Sequence, residues 1–244
     1  LERVPMRVLL LRLTLAVHFL GFFTPACHSF SLTARKVRAH ASHIHVFGDS
    51  HAYHFFSNNY INDYSYSYND RQSVSFSVHW LGAKTMHGLG RVGIHGLDVR
   101  NYAVKNGDVA VFTCGEIDAR CHIGKQRDEK RRDINEIIDT LVERYISLIV
   151  SNRSNYQQLY CVITGVLPPC NACFNPEFPF YGELQDRAQI TYLLNARLSV
   201  AAQHNNILFI SVHDLYGLSA IKMMYPTENF RKVVIRQIFF ISIR

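Results

Sequence analysis

A serine set directly after a short apolar run is a place for nucleophilic chemistry. Ile44-His45-Val46-Phe47 is followed by Gly48-Asp49-Ser50-His51. The Ser50 hydroxyl therefore falls on the turn past a buried strand, at the sheet edge where open α/β folds build their sites. A second cluster, Gly115-Glu116-Ile117-Asp118-Ala119-Arg120-Cys121-His122, follows another apolar run. A serine is a poor nucleophile until a base takes its proton, and the base is usually a histidine oriented by an aspartate. Hydrogen-bond donors must also face the developing oxyanion. The two clusters predict a serine-hydrolase scaffold. Asp118 and His122, four apart, are expected to meet on one helix face. With Glu116 and Arg120 they would line or buttress the site near Ser50. No third convergent ligand accompanies them, so no metal is expected, and no cofactor. Asp49 reads as a turn former.

These residues need elements to hold them. Ile44–Phe47 reads as the first strand, Asp108–Cys114, Tyr160–Val166 and Ile207–Val212 as later ones. Continuous apolar runs of this length suit parallel strands covered on both faces. Ser57 to Ser75, rich in Asn, Tyr, Ser and Asp, reads as a polar loop. From Asp128 to Val150 apolar residues recur at three and four, predicting an amphipathic helix, and Glu183 to Gln203 predicts another. Alternating strands and helices predict an α/β fold, a three-layer parallel sheet with helices on both faces.

Gly48-Asp49-Ser50-His51, Trp80-Leu81-Gly82-Ala83-Lys84-Thr85 and Gly115 to His122, in that order, resemble the first three blocks of the SGNH (GDSL-type) hydrolase-like family. The likeness is to a subgroup with Gly-Asp-Ser-His and Gly-Glu-Ile-Asp-x-Arg-x-His. Lys125-Gln126-Arg127-Asp128 and the stretch Asn175 to Gly182 also fit it. The resemblance implies a flavodoxin-like sheet and cleavage of esters, often acyl groups on carbohydrates or lipids. It implies Ser50 as nucleophile, with the backbone N–H groups of Ser50 and Gly82 as oxyanion donors. Gly115 would line the site. The family's third donor is an Asn in Gly-x-Asn-Asp, and Ile117 stands in that place here. The family's base and its orienting acid come as Asp-x-x-His near the chain end, and none of the thirteen histidines has an aspartate three residues before it. His213-Asp214 would not replace them, because adjacent strand residues point to opposite faces.

Composition sets the frame. With 244 residues and 48% hydrophobic content, the chain can bury a full core. The net charge of +7 is carried by the ends. Residues 44–217 hold 15 Lys/Arg and 17 Asp/Glu, the flanks 11 and 2. A nucleic-acid groove would need its basic face in the folded part, so no nucleic-acid partner is expected. Residues 1–43 are read as an N-terminal extension. Val8 to Phe23, with Arg3 and Arg7 before it, has the form of a secretory signal or short anchor. Any membrane contact would go through it. Residues 44–217 are the hydrolase-like domain and 218–244 a divergent, β-prone tail, expected from a truncated or frame-shifted terminus. Cys170-x-x-Cys173 lacks the second pair a zinc site would want, and the six cysteines read as free thiols. The expected partner is a small-molecule or carbohydrate ester. The missing dyad predicts weak activity, with a ligand-binding scaffold or a decayed gene product as alternatives.

Overall fold

Strands that read as unbroken apolar runs must be covered on both sides, and their arrangement follows from that need. The computed structural model describes residues 43–56, 61–69, 72–169 and 179–211. Its strands are β1 (His43–Gly48), β2 (Asp63–Asn69), β3 (Gln72–Trp80), β4 (Val109–Thr113), β5 (Tyr160–Thr164) and β6 (Leu208–Ile210). They form one six-stranded sheet in the order β2-β3-β1-β4-β5-β6. β3, β1, β4, β5 and β6 are parallel neighbours, and β2 closes one edge antiparallel to β3. Without β2, this is the flavodoxin-like order with its reversal at β1.

The predicted loop over Ser57 to Ser75 is corrected. Most of its described part is β2 and the start of β3. Asp63-Tyr64-Ser65-Tyr66-Ser67 alternates tyrosine with small polar residues, the period of a strand. Tyr64 stacks on Phe76 with ring centroids 5.0 Å apart, and its hydroxyl donates to the Phe56 carbonyl at 2.5 Å.

The described helices are α1 (Ser50–Phe56), α2 (Met86–Val92), α3 (Ile123–Glu129), α4 (Ile134–Arg153) and α5 (Leu184–His204). The helix expected from Asp128 to Val150 is thus two. Asp133 breaks the run because its carboxylate accepts the Asn135 and Glu136 amides at 2.9 and 3.0 Å, capping α4. On one sheet face α4 and α5 bury Ile138, Leu141, Tyr145, Leu194 and Leu198 against Phe47, Ala110, Phe112 and Ile163. The other face buries Ile44, Val46, Val109, Val111 and Val162 with Ala52 and Phe56 of α1. Among the described residues, α1 is the helix on that side.

One seam between β1 and β3 is polar. His45 Nδ1 and His79 Nε2 lie 3.0 Å apart, and the His43 ring stacks on His45 at 4.2 Å. His43 Nε2 meets the Ser77 hydroxyl at 2.8 Å, and Ser77 donates to Asp63 at 2.5 Å. Burial first, and then the neighbouring His43, lowers the His45 pKa to about 4. Burial and then His45 do the same to His79. An unfolded histidine takes its proton near pH 6.5, so between 6.5 and 4 the unfolded chain binds more protons than the folded one. This stability is fully present above pH 6.5 and is lost as pH falls toward 4. The expected loss is on the order of 3 kcal/mol for the coupled pair. Urea midpoints measured from pH 7.5 down to 4 should fall; a midpoint flat across that range would show that the pair titrates alike in the folded and unfolded chain.

Candidate active site

The three sequence blocks lie on adjacent strands and end at the same sheet edge. Gly48 is in register with Trp80 of β3 on one side and with Thr113 of β4 on the other. The Leu81 amide donates to the Gly48 carbonyl at 2.8 Å, joining the second block to the first. Gly48 itself is there because nothing larger fits. A Cβ would fall inside van der Waals contact of the Thr113 carbonyl oxygen and 2.6 Å from Thr113 Cγ2.

Ser50 opens α1 and is exposed. Gly82 follows β3 at φ +76, a left-handed conformation that favours glycine, and a Cβ there would meet open space. Gly115 follows β4 at φ +115, buried, where a Cβ would come 2.8 Å from Met86 Cε and 2.9 Å from Val166 Cγ2. The structure therefore brings Ser50, Gly82 and Gly115 to one end of the sheet. A small open cleft lies there, lined by Asp49, His51, Thr113, Glu116, Thr164 and Leu167 among others.

Asp118 and His122 part company. Residues Asp118–His122 form a π-helical turn in which Asp118 is buried toward α2 and His122 is exposed. Asp118 is fully buried and reaches α2, where its carboxylate accepts the Met86 amide at 2.7 Å and the His87 amide at 3.3 Å. It thereby fixes the segment that follows Gly82. Burial raises its pKa to about 7, against the pull of those two amides. His122 is exposed, and partial desolvation of its ring, followed by the charges of Lys125 and Arg120, lowers its pKa. The expected shared face of Asp118 and His122 does not form. Arg120 pairs with Glu116 at 2.6 Å and donates to the Pro179 carbonyl, while its own carbonyl accepts the Tyr181 amide at 2.9 Å. His213 and Asp214 lie outside the described residues.

Removing the Asp118 carboxylate leaves two amides to find new partners. Asp118→Ala is expected to cost about 2–4 kcal/mol, read as a lower urea midpoint. The isosteric Asp118→Asn should keep the Met86 contact and cost less. Because its folded pKa lies above the unfolded value, Asp118 opposes the histidines, favouring the folded state at low pH and losing that contribution as pH rises through 7. In Asp118→Asn the acid loss of stability should accordingly be steeper than in the parent.

The residue pair that sequence reasoning missed is Asp49 with His51. Asp49 is 1% exposed. Its Oδ1 accepts the His51 backbone amide at 2.9 Å and lies 3.0 Å from His51 Nδ1. Burial alone would lower the His51 pKa. The hydrogen bond and charge of Asp49, aided by Glu116, outweigh it and raise the pKa above the ordinary histidine value. The Asp-x-His spacing at a strand-to-helix junction was the available signal, since an aspartate there can bond two residues on. Among the described residues no group of three or more His, Cys, Asp or Glu converges as a metal site, and no helix is long and apolar enough to cross a membrane. Cys114, Cys121 and Cys161 are free thiols, and burial pushes Cys161 up to about 12.

Solved structures of esterases share this fold. The native aryl esterase of M. smegmatis is similar over 82% of this chain and 98% of its own, at 13% identity and a TM-score of 0.50. Its inhibitor-bound form is similar over 83% and 97%, at 13% identity and a TM-score of 0.51. At that identity the likeness is one of fold. No protein-family model matches the chain, and no curated protein does either.

Proposed function

We propose that this chain is an SGNH-type serine esterase scaffold that transfers an acyl group from an ester to Ser50 and then to water. The observation that carries the reading is the convergence of Ser50, Gly82 and Gly115 at the carboxyl ends of β1, β3 and β4, beside a cleft lined by Asp49, His51 and Glu116 among others. Ser50 attacks the ester carbonyl. The Ser50 and Gly82 amides serve as oxyanion donors, and Asp118 is a positioning residue for the Gly82 segment through Met86 and His87. Ile117 offers no side-chain donor, so the oxyanion is held by fewer groups than the family pattern supplies.

The proton acceptor is the weak part. These 244 residues hold no Asp-x-x-His pair. Among the described residues, His51 is the imidazole at the cleft with a carboxylate on Nδ1, the orientation a triad aspartate gives its histidine. Adjacent helical residues do not face each other, so we assign His51 general-base work toward Ser50 only through one bridging water, and turnover is expected to be slow. A fluorophosphonate probe followed by peptide mapping tests the nucleophile. Slow labelling confined to Ser50 is the expected result, and labelling elsewhere, with Ser50 unmodified, overturns it. A base must be neutral to accept a proton, so the labelling rate should rise with pH through a value above 6.5. Asp49→Asn should move that inflection down and slow the reaction. An inflection unmoved by Asp49→Asn would take His51 out of the role.

A further inference from the structure

Trp80, the sole tryptophan of the chain, is 62% exposed at the last position of β3. Tryptophan is highly buried on average, and one ring can remove about 150–250 Å² from water when covered. Its place is tied to the nucleophile. Trp80 is the register partner of Gly48, two residues before Ser50. The Tyr53 ring of α1 stands beside the indole, with centroids 6.4 Å apart and planes inclined by 38°. Tyr53 is three residues beyond Ser50 on the same helix, so the two share a face one turn apart. His51 is turned about 100° the other way and lines the cleft. Ser50 thus stands between His51, which lines the cleft, and a pair of aromatic rings.

We infer that Trp80 and Tyr53 form the subsite for the alcohol side of the ester, and that it takes the pyranose ring of an O-acylated carbohydrate. The inference rests on the reading of Ser50 as nucleophile. A sugar ring carries C–H bonds on its faces and hydroxyls at its edges. The C–H hydrogens are slightly positive and meet the negative face of an aromatic ring. The surroundings match that division, because the next exposed residues are Ala83 and Lys84, with Ser50 across the seam. An acyl chain would want a longer apolar floor. A stable protein partner would want about 800 Å² on this side, far more than two rings offer.

The single tryptophan is its own reporter. In Ser50→Ala, which binds without turning over, acetylated xylo-oligosaccharide should quench or shift the tryptophan emission saturably. By calorimetry, Tyr53→Ala should weaken that binding at least tenfold and Trp80→Ala by more, while Trp80→Phe stays within about threefold. Both side chains reach solvent, and circular dichroism checks that the variants fold. Emission that ignores the sugar in a chain whose Ser50 is labelled by fluorophosphonate overturns the subsite and leaves the nucleophile standing. A response to decanoyl detergent but not to sugar also overturns it, assigning the rings to a lipid chain. Sugar binding that depends on Trp80, in a chain whose Ser50 is never labelled, upholds the subsite and removes the esterase reading.

Discussion

Ser50→Ala is expected to lower hydrolysis of nitrophenyl acetate by at least a hundredfold while leaving the fold intact. The hydroxyl is the atom that bonds to the acyl carbon, so its loss removes the covalent route entirely. In serine proteases, removing a triad member costs several orders of magnitude, and the oxyanion donors and binding leave a residue of catalysis. Here the parent rate is itself reduced by an incomplete base, which compresses the measurable ratio. Stability should move by no more than about 0.5 kcal/mol, because Ser50 is exposed. The pairing of a large kinetic effect with a small thermal one separates a nucleophile from a turn-forming serine. Equal turnover in parent and Ser50→Ala would remove Ser50 from the chemistry, and the family resemblance would then have misplaced the site.

Gly48→Ala should be the most damaging small substitution in the strand core. One methyl group at Gly48 would overlap the Thr113 carbonyl, which belongs to the neighbouring backbone and cannot swing aside. β1 must then move away from β4, disturbing the register from Ile44↔Val109 to Gly48↔Thr113. Overpacking a rigid neighbour costs about 3 kcal/mol or more. With a urea slope of roughly 2 kcal/mol/M, the midpoint should fall by more than about 1 M. Gly82→Ala is the informative control, since its Cβ would enter open space and pays only for its φ of +76. That conformation costs an L-residue about 1–2 kcal/mol. A Gly48→Ala midpoint equal to that of Gly82→Ala would show that the β1–β4 seam yields more easily than its packing indicates.

β1, β4, β5 and β6 were legible in the residues because a strand covered on both faces is largely apolar, whereas β3, parallel to β1, was not, because serines alternate with its apolar residues. Val109 to Cys114 and Tyr160 to Thr164 could hardly have been anything else. α5 was legible for a related reason, since its apolar positions repeat with the helical turn and its start and end fall within one residue of the reading. β2 was also written in the sequence, as tyrosines alternating with small polar residues. Its polarity hid it, because an edge strand needs one apolar face only and Tyr64 supplies it by stacking on Phe76.

What the sequence by itself determined is local: a glycine-aspartate-serine turn after an apolar strand, and a second glycine cluster after another. The Asp49–His51 bond belongs with these, spanning two residues. Tertiary structure alone decided where those turns meet and what the outlying carboxylate does. Asp118 bonds amides 31 and 32 residues away, a pairing set by the packing of α2 against the turn after β4. That pairing takes Asp118 inward while His122 stays exposed, although helical spacing had placed the two side by side. Sequence periodicity describes side chains along one element. It carries no information on which second element will satisfy a buried charge, because that is fixed only when the sheet has brought distant segments together.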